Sequence, residues 1–220
     1  MSNTTLHIFK LEFGSLLSYS PIVDSEAEQR ARDVMLSLKR DTPVSNPSRF
    51  IPETISNQIK ANLTTLPFSE FFSSNPTLVP LPKSSRMRSG DLWVPRRIAN
   101  ALFRIGLGNE VAEYLIRDQA LPKSAFSTSA ERPTVAQHYN SLGVQKRLPE
   151  PKEILLIDDV ITRGATILGA ANRLADVFPQ AQIRAFAAMR AMSRPFRFSK
   201  LVDPCKGEIM FDGQNIRRRP

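Results

Sequence analysis

The chain has one cysteine, Cys205, and only two histidines, His7 and His138. A lone cysteine excludes an internal disulfide framework, and so few histidines exclude a Cys/His zinc module. No apolar run approaches the roughly 18 residues that a membrane span requires. The stretch from Met1 to Leu17 lacks the basic-then-apolar pattern of a signal peptide, because His7, Lys10 and Glu12 interrupt it. A cytoplasmic protein with no membrane partner is expected. None of the nine glycines precedes a lysine, so a phosphate-binding P-loop is excluded. Gly106-x-Gly108 lacks the third glycine of a dinucleotide fingerprint.

What is present fits a globular chain. The 220 residues are 41% hydrophobic and 23% charged, enough for a full core and far from the composition of a disordered protein. The net charge is +9. Two stretches carry the excess: Arg86 to Arg104 at +4, and Arg190 to Pro220 at +5. Anionic partners are implied, with nucleic acid, nucleotide and a merely solvated surface all left open.

Local patterns define the elements. Ser25 with Glu28 makes a capping box, and Ala27, Ala31, Val34, Met35 and Leu38 follow at helical spacing. Ile55, Ile59 and Leu63 indicate a second helix after Pro52, and Thr77 to Val79 a short buried strand. Pro95 opens a helix that carries Ile98, Leu102 and Phe103 inward. Val111 to Ile116 is expected as one strand, and Arg117 to Arg147 shows no sustained period. Strands at Glu153–Ile157 and Ile183–Met189 flank a helix over Ala165–Phe178. Alternating strands and helices predict an α/β protein with an open, mainly parallel sheet.

The most informative segment is Ile154-Leu155-Leu156-Ile157-Asp158-Asp159-Val160-Ile161-Thr162-Arg163-Gly164-Ala165-Thr166. It is an apolar strand ending in two carboxylates, followed by a tight Thr/Gly/Thr turn into a helix. Ligands of open α/β sheets bind at the carboxyl ends of strands. A helix N-terminus attracts phosphate, and Gly164 lets the backbone approach it. The carboxylates suit sugar hydroxyls, or a metal that also holds phosphate. An apolar run before Asp-Asp also suits the Walker B strand of P-loop ATPases, but the loop those enzymes need is absent.

This segment closely resembles the phosphoribosyl-diphosphate (PRPP) motif of type I phosphoribosyltransferases: four apolar residues, two acidic, two apolar, then Thr-x-Gly-x-Thr. Within that group the chain is similar to ComF-like phosphoribosyltransferases over roughly residues 77 to 190. Val79-Pro80-Leu81-Pro82 resembles their Val-Pro-x-Pro segment, and Leu115-x-Arg117 and Glu131-Arg132 resemble the borders of their mobile segment. The chain departs from them around Leu92 to Asn100 and lacks their N-terminal cysteine cluster.

The resemblance implies a division into an N-terminal helical hood (1–70) and a phosphoribosyltransferase core (71–220), with a lid at 118–147 and a basic tail at 190–220. It implies that Asp158 and Asp159 face the ribose hydroxyls, while Thr162, Arg163, Gly164, Ala165 and Thr166 hold the 5′-phosphate. Lys83 and Ser84 would cradle the diphosphate. Arg132 and His138 would act from the lid as catalytic residues, with Lys123 and Tyr139 as further lid candidates. Mg2+ would be bound mainly through PRPP rather than by a protein metal site. The implied reaction transfers phosphoribose to a nitrogenous base or amine with release of pyrophosphate. The alternative is a PRPP- or nucleotide-sensing protein on the same fold. The acceptor, a homodimeric state and nucleic-acid association are left open.

Overall fold

The apolar run Ile154–Ile157 is the buried centre of the main sheet in the computed structural model, which describes residues 6–44, 49–122, 132–193 and 197–220. The first half of the chain runs β1 (Lys10–Tyr19), α1 (Glu26–Arg40), α2 (Ile51–Ala61), α3 (Glu70–Ser73), β2 (Thr77–Pro80), α4 (Val94–Arg104) and β3 (Glu110–Val111). It continues through β4 (Leu115–Arg117), α5 (Val135–Asn140), β5 (Leu142–Val144), β6 (Glu153–Ile161), α6 (Ala165–Ala175), β7 (Gln182–Ala191), β8 (Val202–Phe211) and β9 (Ile216–Arg219).

Seven strands form one sheet in the order β3-β2-β6-β7-β1-β8-β9, and β4 and β5 make a separate antiparallel pair. From β3 to β1 the neighbours are parallel; β8 and β9 close one side antiparallel. This is the expected α/β architecture with a mainly parallel sheet flanked by helices. A strand that is apolar at consecutive positions must be covered on both faces. Leu155 and Ile157 join one core with α1, α2 and α4, while Ile154 and Leu156 join the other with α6. Fully burying each such side chain contributes roughly 1.5–3 kcal/mol.

The connections decide where a crevice opens. After β2 the chain turns into α4 on one face; after β6 it turns into α6 on the other. Adjacent strands whose connections diverge leave a cleft at their carboxyl ends. That end of the sheet carries Asp158 and, after β2, the loop 81–85.

Several elements differ from expectation. Val111 to Ile116 is not one strand. The chain leaves the sheet edge at Ala112, so that Tyr114 can be buried on the α6 side against Phe178, with ring centroids 5.0 Å apart. The aperiodic stretch after Arg117 holds α5, started by a complete capping box between Thr134 and Gln137. The β6 strand does not end at Ile157; it stays paired with β7 through Ile161. The segment 1–70 supplies β1 to the main sheet, between β7 and β8, and the basic stretch 190–220 supplies β8 and β9. Of the lid range 118–147, residues 123–131 lie outside the described residues, and Lys123 and Glu131 with them. Among the described residues no helix is long and apolar enough to cross a membrane.

Candidate functional site

The start of α6 is built by one residue that only glycine serves well. Gly164 caps the helix at φ +91°, in the left-handed region. A Cβ there would also stand 2.8 Å from the Ile209 side chain. The turn thus brings Thr162, Arg163 and the free amides of the first helical turn around the end of β6. Together with Asp158, Thr166, His138, Arg132 and Pro133 they line a cleft of about 40 Å3. At roughly 10–15 Å3 per water, that is room for about three waters.

The cleft lining carries both cations and a carboxylate. Arg132 and Arg163 both line it, and burial, then the nearby Arg132 guanidinium, lowers the pKa of Arg163. Burial and the adjacent Asp159 carboxylate raise the pKa of Asp158 well above the ordinary carboxylate range. Oδ1 of Asp158 accepts the Asp159 amide at 2.9 Å. A carboxyl group held ready to take up a proton can both accept from and donate to a sugar hydroxyl.

The two acidic residues touch each other but differ in their further partners. Alternation holds from Ile154 to Ile157 and breaks beyond it, since Val160 packs with Leu155 and Ile157, and Ile161 with Ile154 and Leu156. Lys39 from the last turn of α1 donates to Asp159 Oδ2 at 3.3 Å. Burial alone would lower the Lys39 pKa, but Asp159 and Asp158 together outweigh it and raise it. Asp158 lines the cleft, and Asp159 beside it pairs with Lys39 of the N-terminal helix.

His138 sits in α5 and is buried, with Nε2 3.3 Å from the Thr166 hydroxyl. Burial, then the positive Arg117 nearby, lowers its pKa to about 4. At neutral pH it is a neutral imidazole that lines the cleft against Thr166. The contact is close because α5 crosses α6 at Gly169, where a Cβ would lie 2.7 Å from the His138 Cβ. Tyr139 is bound to Asp176 and stacked by Arg173, away from the cleft lining.

Lys83 and Ser84 lie on the loop after β2, at the same sheet end but outside the cleft lining. The Lys83 ammonium is 3.6 Å from Asp91, and the Ser84 carbonyl accepts the Leu121 amide at 2.8 Å. The arginines of the 86–104 stretch are largely engaged: Arg96 pairs with Glu113, Arg97 with Asp41, and Arg104 with Glu53. Among the described residues no three His, Cys, Asp or Glu side chains cluster as a metal cage. A lone cleft carboxylate fits a Mg2+ ion only as a partner to one already held by a ligand's phosphates.

Two participants escape sequence reasoning. Lys39 reaches Asp159 across 120 residues, and its position in the last turn of a helix reads locally as a favourable interaction with the helix dipole. Arg117 reads as a polar residue at the edge of an aperiodic stretch, yet it is buried. Compared with known proteins, the chain matches no family model and no curated protein.

Proposed function

We propose that the chain is a phosphoribosyltransferase with the type I fold. It would bind PRPP with Mg2+ and transfer phosphoribose to a nitrogenous base or amine. The observation that carries this is the convergence in one cleft of Asp158, the Thr162–Thr166 turn on the α6 N-terminus, and the Arg132–Arg163 pair. The helix amides and hydroxyls suit a 5′-phosphate, Asp158 suits a ribose hydroxyl, and the guanidiniums suit further phosphate charge.

In the reaction, the bond from the anomeric carbon to the diphosphate oxygen breaks, a carbon–nitrogen bond forms, and the acceptor loses a proton. Positive charge develops on the ribose ring and negative charge on the leaving diphosphate. Asp158 stabilises the first, and Arg132 and Arg163 the second. The turn and the helix hold the phosphate end, so the anomeric carbon is fixed relative to the acceptor. Mg2+ carried by the diphosphate supplies further charge neutralisation. Incubating the protein with PRPP, Mg2+ and a panel of bases and amines is expected to release pyrophosphate.

A second reading, a PRPP or nucleotide sensor without turnover, draws on the Lys39–Asp159 pair and on the small volume of the cleft. Calorimetric binding of PRPP with no pyrophosphate release across the panel would select it. Absence of PRPP binding would overturn both.

A further inference from the structure

Arg117 is a buried cation. It is 3% exposed, and among the described residues no carboxylate lies within ion-pair distance of it. Its neighbour Asp118 is exposed. Burial, opposed by Asp118, lowers its pKa to about 10, so at neutral pH it keeps its charge. Taking a guanidinium out of water without a counter-charge is costly.

The bonds it makes span the site. Nε donates to the Lys83 carbonyl at 2.9 Å, on the loop after β2. Nη1 donates to the Ser141 hydroxyl, which in turn donates to the His138 carbonyl at 2.9 Å. His138 then meets Thr166, in the first turn of α6, at 3.3 Å. One side chain on β4 therefore joins the loop 81–85 to the α5–α6 pair that presents the cleft. Two atoms in this chain of contacts are buried and have no partner among the described residues: Arg117 Nη2 and His138 Nδ1. Most such groups in folded proteins are satisfied.

We propose that Arg117 is a positioning residue for phosphate or diphosphate binding: it locks the 81–85 loop to the α6 N-terminus, so that an anion in the cleft orders both together. This rests on the reading of the cleft as a site for a phosphorylated ligand, and adds to it a residue that touches no ligand. Lys83 and Ser84, outside the cleft lining, are brought under its control through the carbonyl of Lys83.

The test uses Arg117→Met, Arg117→Lys and wild type, with PRPP and inorganic pyrophosphate as probes in calorimetry and amide exchange. In wild type, pyrophosphate is expected to slow exchange in 81–85 and in 164–168 together. In Arg117→Met the protection is confined to 164–168, and both affinities fall about tenfold. Without ligand that variant melts no lower than wild type, because an uncompensated buried charge has been removed. Arg117→Lys keeps the charge but cannot bond Lys83 and Ser141 at once. It is expected to lose the joint protection while keeping part of the affinity, and it carries the test if Arg117→Met does not fold. If wild type binds PRPP and both variants bind equally well with both segments protected, the role of Arg117 is overturned and the functional reading stands. If wild type binds neither probe, both fall.

Discussion

Asp158 and Asp159 are consecutive in sequence but differ in their partners, Asp158 lining the cleft at the start of α6 and Asp159 bound to Lys39 of α1. The two carboxylates stay in contact, and both raise the pKa of Lys39. The carboxylate facing the cleft is also the one that burial and its neighbour push toward protonation. Perturbed carboxylates of this kind are enriched among binding and catalytic groups.

The two substitutions therefore have different outcomes. Asp158→Asn keeps the oxygen that accepts the Asp159 amide and removes a strained charge. Its melting temperature is expected to equal or exceed that of wild type, while PRPP affinity or turnover falls roughly ten- to a hundredfold, as for loss of a charge-assisted bond. Asp159→Asn breaks the pair with Lys39, whose side chain is 45% exposed, so the stability change stays within about 1 kcal/mol. Its effect on PRPP is expected to be the smaller of the two. Calorimetry and thermal melts on both proteins decide. Equal losses of PRPP binding would mean that Asp159 also reaches the ligand.

Gly164 and Gly169 test the two contacts that shape the cleft. Gly164→Ala must hold a left-handed φ and push against Ile209, which together cost roughly 2–4 kcal/mol. Because the turn itself is displaced, pyrophosphate affinity is expected to fall as well. Gly169→Ala involves no unusual φ; the new methyl meets His138 Cβ and the backbone of α5. A loss of about 1–3 kcal/mol is expected as α5 is forced off α6. A crystal structure of Gly169→Ala should show His138 withdrawn from Thr166. A variant as stable as wild type with that contact intact would contradict the packing described.

Much of this site is legible in the sequence, for a physical reason. The strand, the turn and the start of α6 are contiguous, so periodicity, a glycine and two threonines define them locally. The direction of Asp159 is not legible there, because the two-residue alternation of β6 breaks after Ile157: Val160 packs with Ile157, and Ile161 with Leu156. β1 is hidden because its buried positions include Gly14, Ser15 and Ser18. Gly14 is needed where Phe68 packs, at 2.8 Å from a would-be Cβ, and the serines bond Arg190 and the Lys200 carbonyl. Those partners lie 175 and 182 residues away, beyond any local pattern. Pro204 within β8 likewise argues against a strand until the antiparallel pairing with β1 is seen. The Thr134–Gln137 capping box, by contrast, is a local signal for α5 inside an otherwise aperiodic stretch.

His138 gives the chain a pH dependence with a definite sign. Its folded pKa of about 4 lies below the ordinary 6.5, because burial and Arg117 disfavour the imidazolium. Between those values the unfolded chain binds the proton and the folded one does not. Stability from this residue is therefore fully present above pH 6.5 and is lost as the pH falls toward 4. For a shift of this size the loss is on the order of 3 kcal/mol. Asp158 works the other way: its raised pKa lets the folded state take up a proton first, which adds stability as the pH falls through the same region. Total stability thus mixes the two, and the contrast with a variant separates them. In urea titrations from pH 7.5 to 4.5, the wild-type protein is expected to lose more stability than His138→Asn, even if the variant is the less stable at neutral pH. Parallel pH profiles for the two proteins would show that the His138 pKa is not lowered on folding.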